Sequence, residues 1–322
     1  MNFFKKVKVN YYSKLLPNLI LQKKTNDIKN LLTEINSIDI RQSLLIFRKY
    51  FNELALFPKD SIFNNDLIWI TSFLKSDCKI ITKFLNYYFS ELKINQNNFT
   101  DYEKYISQIN FLLGLQDANF DQIVNDSYFY QHNLQIKNIP GDLNFISNQI
   151  PFFETYNQLM FSHPIFTKCY FYIIRNPLEI LSILKNESQD ENQNLNSLLN
   201  LDHRPTSLEF EETANIVQIY RKDWATHVKS WTSQNVLENF NGLIINLLDF
   251  KKDPMSVFAD IIGHLIQSGM KIPLDYNLIE NYISKFLVDT NEIAKIELSN
   301  QKKKLLKDID ETAAAWGYNL NL

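Results

Sequence analysis

The sequence predicts an α/β protein in which helices flank a central parallel sheet, a three-layer arrangement. Between residue 66 and about residue 260, apolar runs typical of buried strands alternate with amphipathic runs typical of helices. Two of these strands, LIWIT at 67–71 and CYFYIIR at 169–175, are each followed by a short polar turn and a helical pattern. The helical stretch after the first is expected to run to about residue 118, and IPFFETY at 150–156 is expected to be a further strand. Hydrophobic residues form 45% of the 322-residue chain, which suffices for a full core.

Residues 1–62 are predicted to be a helical extension, and residues 63–322 the α/β domain with a helical C-terminal tail. The segments 26–35 and 40–57 carry apolar residues at helical spacing, and Pro58 ends the second. Lysines and aromatics alternate near the N-terminus, a pattern that suits a membrane surface or a partner. Packing on the chain's own domain is the favoured interpretation.

Composition limits the function classes. A net charge of −3 gives no general attraction to nucleic acid, and no apolar run approaches the roughly 20 residues that span a bilayer. Two cysteines and five histidines show no disulfide framework or metal-ligand spacing. Without a good signal peptide, the chain is predicted to be cytoplasmic.

The segment 67–81, LIWITSFLKSDCKII, predicts a strand, a turn and a helix, with a lysine where an anion could lie at the helix N-terminus. It resembles the 5′-phosphosulfate loop of the sulfotransferase family, S-[YF]-P-K-S-G-[NT]-T-W. Ser72, Phe73, Lys75 and Ser76 agree, whereas Leu74, Asp77, Lys79 and Ile80 depart from it. The resemblance implies that Lys75, Ser76 and Lys79 bind the donor 3′-phosphoadenosine 5′-phosphosulfate (PAPS), with Lys75 also catalytic. An ordinary turn with a solvated Lys75 is the alternative, because no glycine brings the backbone close to a phosphate.

A second segment, CYFYIIRNPLEILSI at 169–183, resembles the family's 3′-phosphate motif R-[DN]-P-x-[DE]-x-x-x-S. The resemblance implies that Arg175 holds the 3′-phosphate, aided by a serine eight residues later, for which Ser182 is the candidate in this chain. That serine is expected at position 183, but Ile183 stands there and Ser182 precedes it. One residue is about 100° around a helix, which turns Ser182 away. The alternative is that Asn176 starts a helix and Arg175 pairs with a surface carboxylate.

The segment PFFETYNQLM, 151–160, resembles the region that carries the family's catalytic base, K-T-H-N. Tyr156 stands at the position of the base and Glu154 at that of the lysine. A phenol with a pKa near 10 is a poor base, roughly three units above histidine's range. Tyr156 is therefore either an unusual base or a core or rim aromatic.

The segment WATHVKSW, 224–231, matches the family pattern W-x-x-H-V-x-S-W most fully. Trp224, His227, Val228 and Trp231 fall on one helical face, and His227 is expected to be a buried histidine with its hydrogen bonds satisfied. The next segment, LIINLLDFKKDP, retains Asp249 but has leucine in place of polar network residues. The polar stretch 186–212 is expected to be a surface excursion, a lid or a plain disordered loop.

These features support a sulfotransferase-like protein that has lost turnover and acts as a binding or scaffolding partner, with a protein partner or an active paralogue. The alternatives are a divergent active sulfotransferase with a glycan or small-molecule acceptor, and a nucleotide or polyanion sensor. The enzyme and the sensor retain Lys75 and Arg175 as anion ligands. Against turnover, losing a base and its electrostatic partners together removes many orders of magnitude in rate.

Overall fold

A computed structural model describes residues 66–94, 98–113, 144–153, 166–188, 190–200, 206–210, 215–219, 222–287 and 300–320, with scattered positions in 11–34, 123–134 and 161–164. The strands are β1 (Leu67–Ser72), β2 (Asn98–Asp101), β3 (Asn144–Asn148), β4 (Thr167–Ile174), β5 (Thr206–Phe210), β6 (Asn215–Ile219) and β7 (Gly242–Asn246). The helices are α1 (Cys78–Glu91), α2 (Tyr102–Leu113), α3 (Pro177–Glu187), α4 (Glu191–Leu199), α5 (Trp224–Thr232), α6 (Gln234–Asn239), α7 (Leu247–Lys252), α8 (Pro254–Gln267), α9 (Tyr276–Phe286) and α10 (Asn300–Ala315).

The central sheet has five parallel strands in the order β2-β3-β1-β4-β7, and β5 with β6 forms a separate antiparallel pair. All six residues of β1 are buried, as expected for the middle strand of a sheet covered on both faces. Successive side chains point to opposite faces, so Leu67 and Trp69 join one core while Ile68 and Ile70 join the other. This confirms the predicted α/β class.

Each face of the sheet has its own helices. Apolar residues of α2, α3, α5 and α10 pack with Trp69, and those of α1, α7, α8 and α9 pack with Ile68. Leu16, Leu19 and Leu31, from the region preceding the domain, are buried in the first core. Most of the predicted extension 1–62 lies outside the described residues.

Three local predictions differ from the structure. The strand expected at 150–156 is absent from its described part, 150–153, and β3 lies upstream instead. Pro151 interrupts the pattern, and the neighbouring backbone is bonded by side chains: Trp231 Nε1 donates to the Ile150 carbonyl at 3.0 Å and Phe152 N–H donates to Ser230 Oγ at 3.1 Å. Side-chain bonds therefore replace a strand ladder there.

The other two differences concern short elements. The stretch 92–118 was expected to be helical, yet it contains edge strand β2, where Phe99 stacks on Phe145 with ring centroids 4.9 Å apart. The polar stretch 186–212 contains helix α4, whose first turn is capped by the Asp190 carboxylate accepting from the N–H groups of Asn192 and Gln193. The sequence did not reveal this helix, because its residues are mostly polar and show little apolar periodicity.

The strand order places a crevice beside β1. The chain leaves β1 toward β2 and β3 on one side and returns to β4 and β7 on the other. Connections that diverge in this way open a crevice at the carboxyl ends of the strands, where parallel α/β proteins bind ligands.

Candidate functional site

A cavity of about 480 Å³ lies in this crevice. Its lining comes from the carboxyl ends of β1, β2, β3 and β4, from the start of α1 and from α3, and it includes three basic and four acidic residues. The basic residues are Lys75, Lys79 and Arg175, and the acidic residues are Asp77, Asp101, Glu103 and Glu187. The site is therefore balanced in charge, with a slight acidic excess.

The loop after β1 forms the anion-facing wall. Lys75 and Asp77 both have φ of 58°, in the left-handed region that favours glycine. Ser76 is among the lining residues but is only 1% exposed, and its buried Oγ has no hydrogen-bond partner in the described part of the chain. Asp77 begins α1 without a side-chain cap, and Cys78 and Lys79 of the first turn line the cavity. A helix N-terminus of this kind favours an anion.

Arg175 projects from the end of β4 into the same loop. Its Nη1 donates to the Lys75 carbonyl at 2.5 Å, and its Nη2 pairs with the Asp77 carboxylate. Its Nε lies 3.6 Å from the Glu179 carboxylate, an ion-pair distance but not a hydrogen bond. Asn176 caps α3 by accepting from Leu178 N–H at 2.9 Å. The guanidinium is thus held by the protein itself.

Other carboxylates engage the neighbouring cations. Lys75 Nζ lies 2.7 Å from the Glu187 carboxylate, and Lys251 Nζ lies 2.7 Å from that of Glu179. Lys75 and Glu187 are 31% and 53% exposed, so their pair is screened by solvent and easily exchanged. Arg175 is only 12% exposed, which makes its pair with Asp77 the firmer of the two.

The opposite wall comes from β2, β3 and the start of α2. The Glu103 carboxylate is 4% exposed and accepts from Gln149 N–H at 2.7 Å. Asn148 is 2% exposed; its Oδ1 accepts from Ile150 N–H at 2.9 Å, which leaves Nδ2 as a donor. Within the described residues this Nδ2 and Gln149 Oε1 have no partner. This wall therefore contains two buried polar atoms that are unpaired within the described residues.

Helix α5 fixes the backbone that continues from this wall, residues 149–152, by side-chain hydrogen bonds. The Gln149 carbonyl can only accept, so His227 Nε2 donates to it at 3.0 Å and Nδ1 of the neutral ring accepts from the Tyr172 hydroxyl at 2.8 Å. Trp231 and Ser230 bond the next backbone groups, as described above. His227 is fully buried, which matches the prediction that it is a satisfied internal histidine.

Cys78 is an unsuitable nucleophile although it lines the cavity. Its Sγ lies 2.9 Å from Ser72 Oγ, and burial raises the pKa of the thiol to about 12. Little thiolate forms at neutral pH.

The structure brings four predicted site residues to one cavity: Lys75, Ser76, Lys79 and Arg175. Ser182 is 5% exposed and does not line it, while Ile183 does. Tyr156, predicted at the position of the base, lies outside the described residues. The sequence reasoning missed Asp101, Glu103, Asn148 and Gln149, because β2 and β3 were not recognised there.

The sequence matches no protein-family model and no curated protein. Among the described residues, His, Cys, Asp and Glu side chains form no group arranged to hold a metal ion. None of the described helices combines the length and the apolar character needed to cross a bilayer.

The C-terminal segment closes the β7 side of the crevice. Gly317 adopts φ of 78° and ends α10, so that the chain turns back toward the sheet. Tyr318 is buried, with its Oη 3.0 Å from the Ile174 carbonyl and 2.6 Å from Asn246 Oδ1. Asn246 Nδ2 in turn donates to the Trp316 carbonyl at 2.9 Å. The open cavity consequently extends toward β3 and β2.

Proposed function

We propose that this chain is a sulfotransferase-like protein that binds an anionic ligand in the cavity, does not transfer a sulfuryl group, and acts as a binding or scaffolding partner. The observation that carries the proposal is the ion pair between the Asp77 carboxylate and the Arg175 guanidinium. The group that would hold a donor phosphate is already neutralised, and a phosphate brought beside Asp77 is repelled by about 1–4 kcal/mol over the usual range of dielectric.

Binding is supported by a different set of groups. Ser76, Cys78 and the exposed Lys79 all line the cavity, and α1 begins there without a side-chain cap, so its first turn can receive one anionic group. Lys75 also becomes available whenever its exposed pair with Glu187 opens. These groups can therefore receive one anion. The two phosphates of PAPS would have to compete with the Asp77 carboxylate for Arg175 and with the Glu187 carboxylate for Lys75.

The second candidate is an active sulfotransferase, favoured by the convergence of Lys75, Ser76, Lys79 and Arg175 on one cavity. In that reaction the sulfuryl group of PAPS passes to an acceptor hydroxyl whose proton leaves to a base. PAPS would be its only implied cofactor, and a glycan or small molecule its acceptor.

A PAPS-consumption assay with a panel of hydroxyl acceptors separates the two candidates. The full chain is expected to release 3′-phosphoadenosine 5′-phosphate (PAP) no faster than buffer, and calorimetry should detect no PAP binding below millimolar concentration. Asp77→Gly should bind PAP at least about tenfold more tightly, because it frees the guanidinium and removes a negative charge. Acceptor-dependent turnover by the unmodified chain would establish the enzyme and reject the proposal.

A further inference from the structure

Helix α10 presents a stripe of charged residues to solvent, on the face opposite its core contacts. Its apolar residues Leu306, Ile309 and Ala313 are buried in the first core. Residues spaced by three, four and seven positions share one face of a helix. Four exposed charged residues of α10 follow this spacing: Lys304, Lys307, Asp308 and Glu311. The stripe is therefore basic toward the start of α10 and acidic toward its end.

This order of charges does not stabilise the helix itself. A helix favours acidic residues in its first turn and basic residues in its last turn, and α10 has neither. Lys304 precedes Asp308 by four positions and Lys307 precedes Glu311 by four, which is the weaker orientation for an ion pair within one helix. None of these four side chains forms an ion pair or a hydrogen bond with another residue in the part of the chain that the structure describes. Both signs of charge are thus presented to solvent.

The stripe is complementary in charge to a second copy of itself. When two identical helices cross antiparallel about a two-fold axis, residue i of one copy faces residue j of the other, and j faces i. An axis that passes between residues 307 and 308 places Lys304 of each copy level with Glu311 of the other. Lys307 and Asp308 of both copies then meet around the axis, where their charges sum to zero. The two helix dipoles also oppose each other in this arrangement.

We infer that the exposed face of α10 is an interface between two copies of this chain, formed by an antiparallel pair of α10 helices with reciprocal ion pairs between Lys304 and Glu311. A parallel pair would bring like charges together, and a partner of one charge sign would match only half of the stripe. A single pair of helices buries little area and each exposed ion pair contributes little, so the dimer is weak and sensitive to salt. The stripe does not line the cavity, so this inference is independent of the proposed binding function.

Sedimentation velocity of the full chain over a range of protein concentrations tests the inference. The dissociation constant of the dimer should rise at least about tenfold between about 0.05 M and about 1 M sodium chloride, because salt screens exposed charges. Lys304→Glu should raise it at least about tenfold at low salt, since the two-fold axis repeats the new like-charge contact twice. Glu311→Lys should have the same effect.

The double variant Lys304→Glu with Glu311→Lys is the decisive one, because it restores opposite charges across the axis at unchanged net charge. Its dimer should dissociate within about threefold of the unmodified chain. Lys285→Glu, on α9 at the other face of the sheet, makes the same change in net charge as Lys304→Glu and should alter the dissociation constant by less than about twofold. Circular dichroism should show that all variants remain folded, since the substituted side chains are exposed.

Three results would overturn the inference. The first is a full chain that stays monomeric at low salt at the highest soluble concentration. The second is a dimer that is insensitive to salt or to both single charge reversals, which would place the interface elsewhere. The third is a double variant as weakly associated as the single variants, which would exclude the antiparallel pairing of Lys304 with Glu311.

Discussion

Helix α5 and the loop after β1 touch through His227 and Phe73, whose ring centroids lie 5.4 Å apart, yet they differ in how their polar atoms are used. In α5, His227, Ser230 and Trp231 each bond the segment 149–152. In the loop, Ser76 has a buried hydroxyl without a hydrogen-bond partner among the described residues, and Lys75 and Asp77 adopt positive φ. The helix matches the sulfotransferase pattern most fully, and the loop departs from it most at the residue that contacts Arg175.

This difference separates side chains that are kept for packing, as in α5, from side chains that could contact a ligand, as in the loop after β1. Side chains whose partners are all internal are fixed by the fold, whatever the ligand. Side chains that face a cavity are fixed by the ligand, and a fold survives when they change. Substitutions in α5 should therefore change stability, and substitutions in the loop should change binding.

The largest expected effect is that of Trp231→Ala. Trp231 is 1% exposed and packs against Phe152, Phe161 and Tyr170 at centroid distances of 5.2–5.3 Å. Its loss should lower the free energy of unfolding by about 3–5 kcal/mol, measured by urea denaturation followed by circular dichroism. Lys229→Ala, on the exposed face of the same helix, is the control and should stay within about 0.5 kcal/mol. Similar effects for the two variants would contradict a packing role.

Tyr172→Phe should have the next largest effect. It removes the hydroxyl that donates to His227 Nδ1 and leaves that nitrogen buried without its donor. The expected cost is about 1–3 kcal/mol in the same denaturation experiment. Binding of inorganic phosphate should not change, because Tyr172 does not line the cavity. A loss of phosphate affinity without a loss of stability would show that α5 belongs to the binding site.

Asp77→Gly should change stability little, in contrast to its effect on PAP binding. Glycine relieves a left-handed conformation that costs about 1–2 kcal/mol, while the lost ion pair with the partly exposed Asp77 is worth about 0–1 kcal/mol. The net change should be within about 1 kcal/mol. Asp77→Asn, which removes the charge but tolerates the same φ, separates the two contributions. A large destabilisation by both variants would assign Asp77 a structural role.

The smallest expected effect is the reaction of the Cys78 thiol with an alkylating reagent at pH 8. Because its pKa is about 12 against 9.0 for an ordinary thiol, the folded protein holds roughly a thousandfold less thiolate at pH 8. Burial likewise raises the pKa of Cys169 to about 12. Iodoacetamide at pH 8 should label neither thiol over the time in which it labels both in urea, as read by mass spectrometry. The labelling rate should rise tenfold per pH unit up to about pH 12. Rapid labelling of Cys78 at pH 8 would show that burial does not suppress formation of its thiolate.

Some of the site follows from local sequence pattern. The apolar run at 67–71 and the amphipathic run after it predict β1 and α1, because period and burial are local properties. The spacing of Trp224, His227 and Trp231 likewise predicts one buried face. The convergence of Lys75 and Arg175 was predicted only through a resemblance, since 100 residues separate them.

The sequence by itself determined the α/β class, the strand-turn-helix units and the apolar face of α5. Only the tertiary structure decided that the Asp77 carboxylate neutralises Arg175, that Asp101 and Asn148 form the far wall of the cavity, and that Tyr318 closes the β7 side. Helix and strand periodicity arises from neighbours a few residues apart, whereas charge pairing and cavity walls depend on side chains that meet only when the sheet orders its strands.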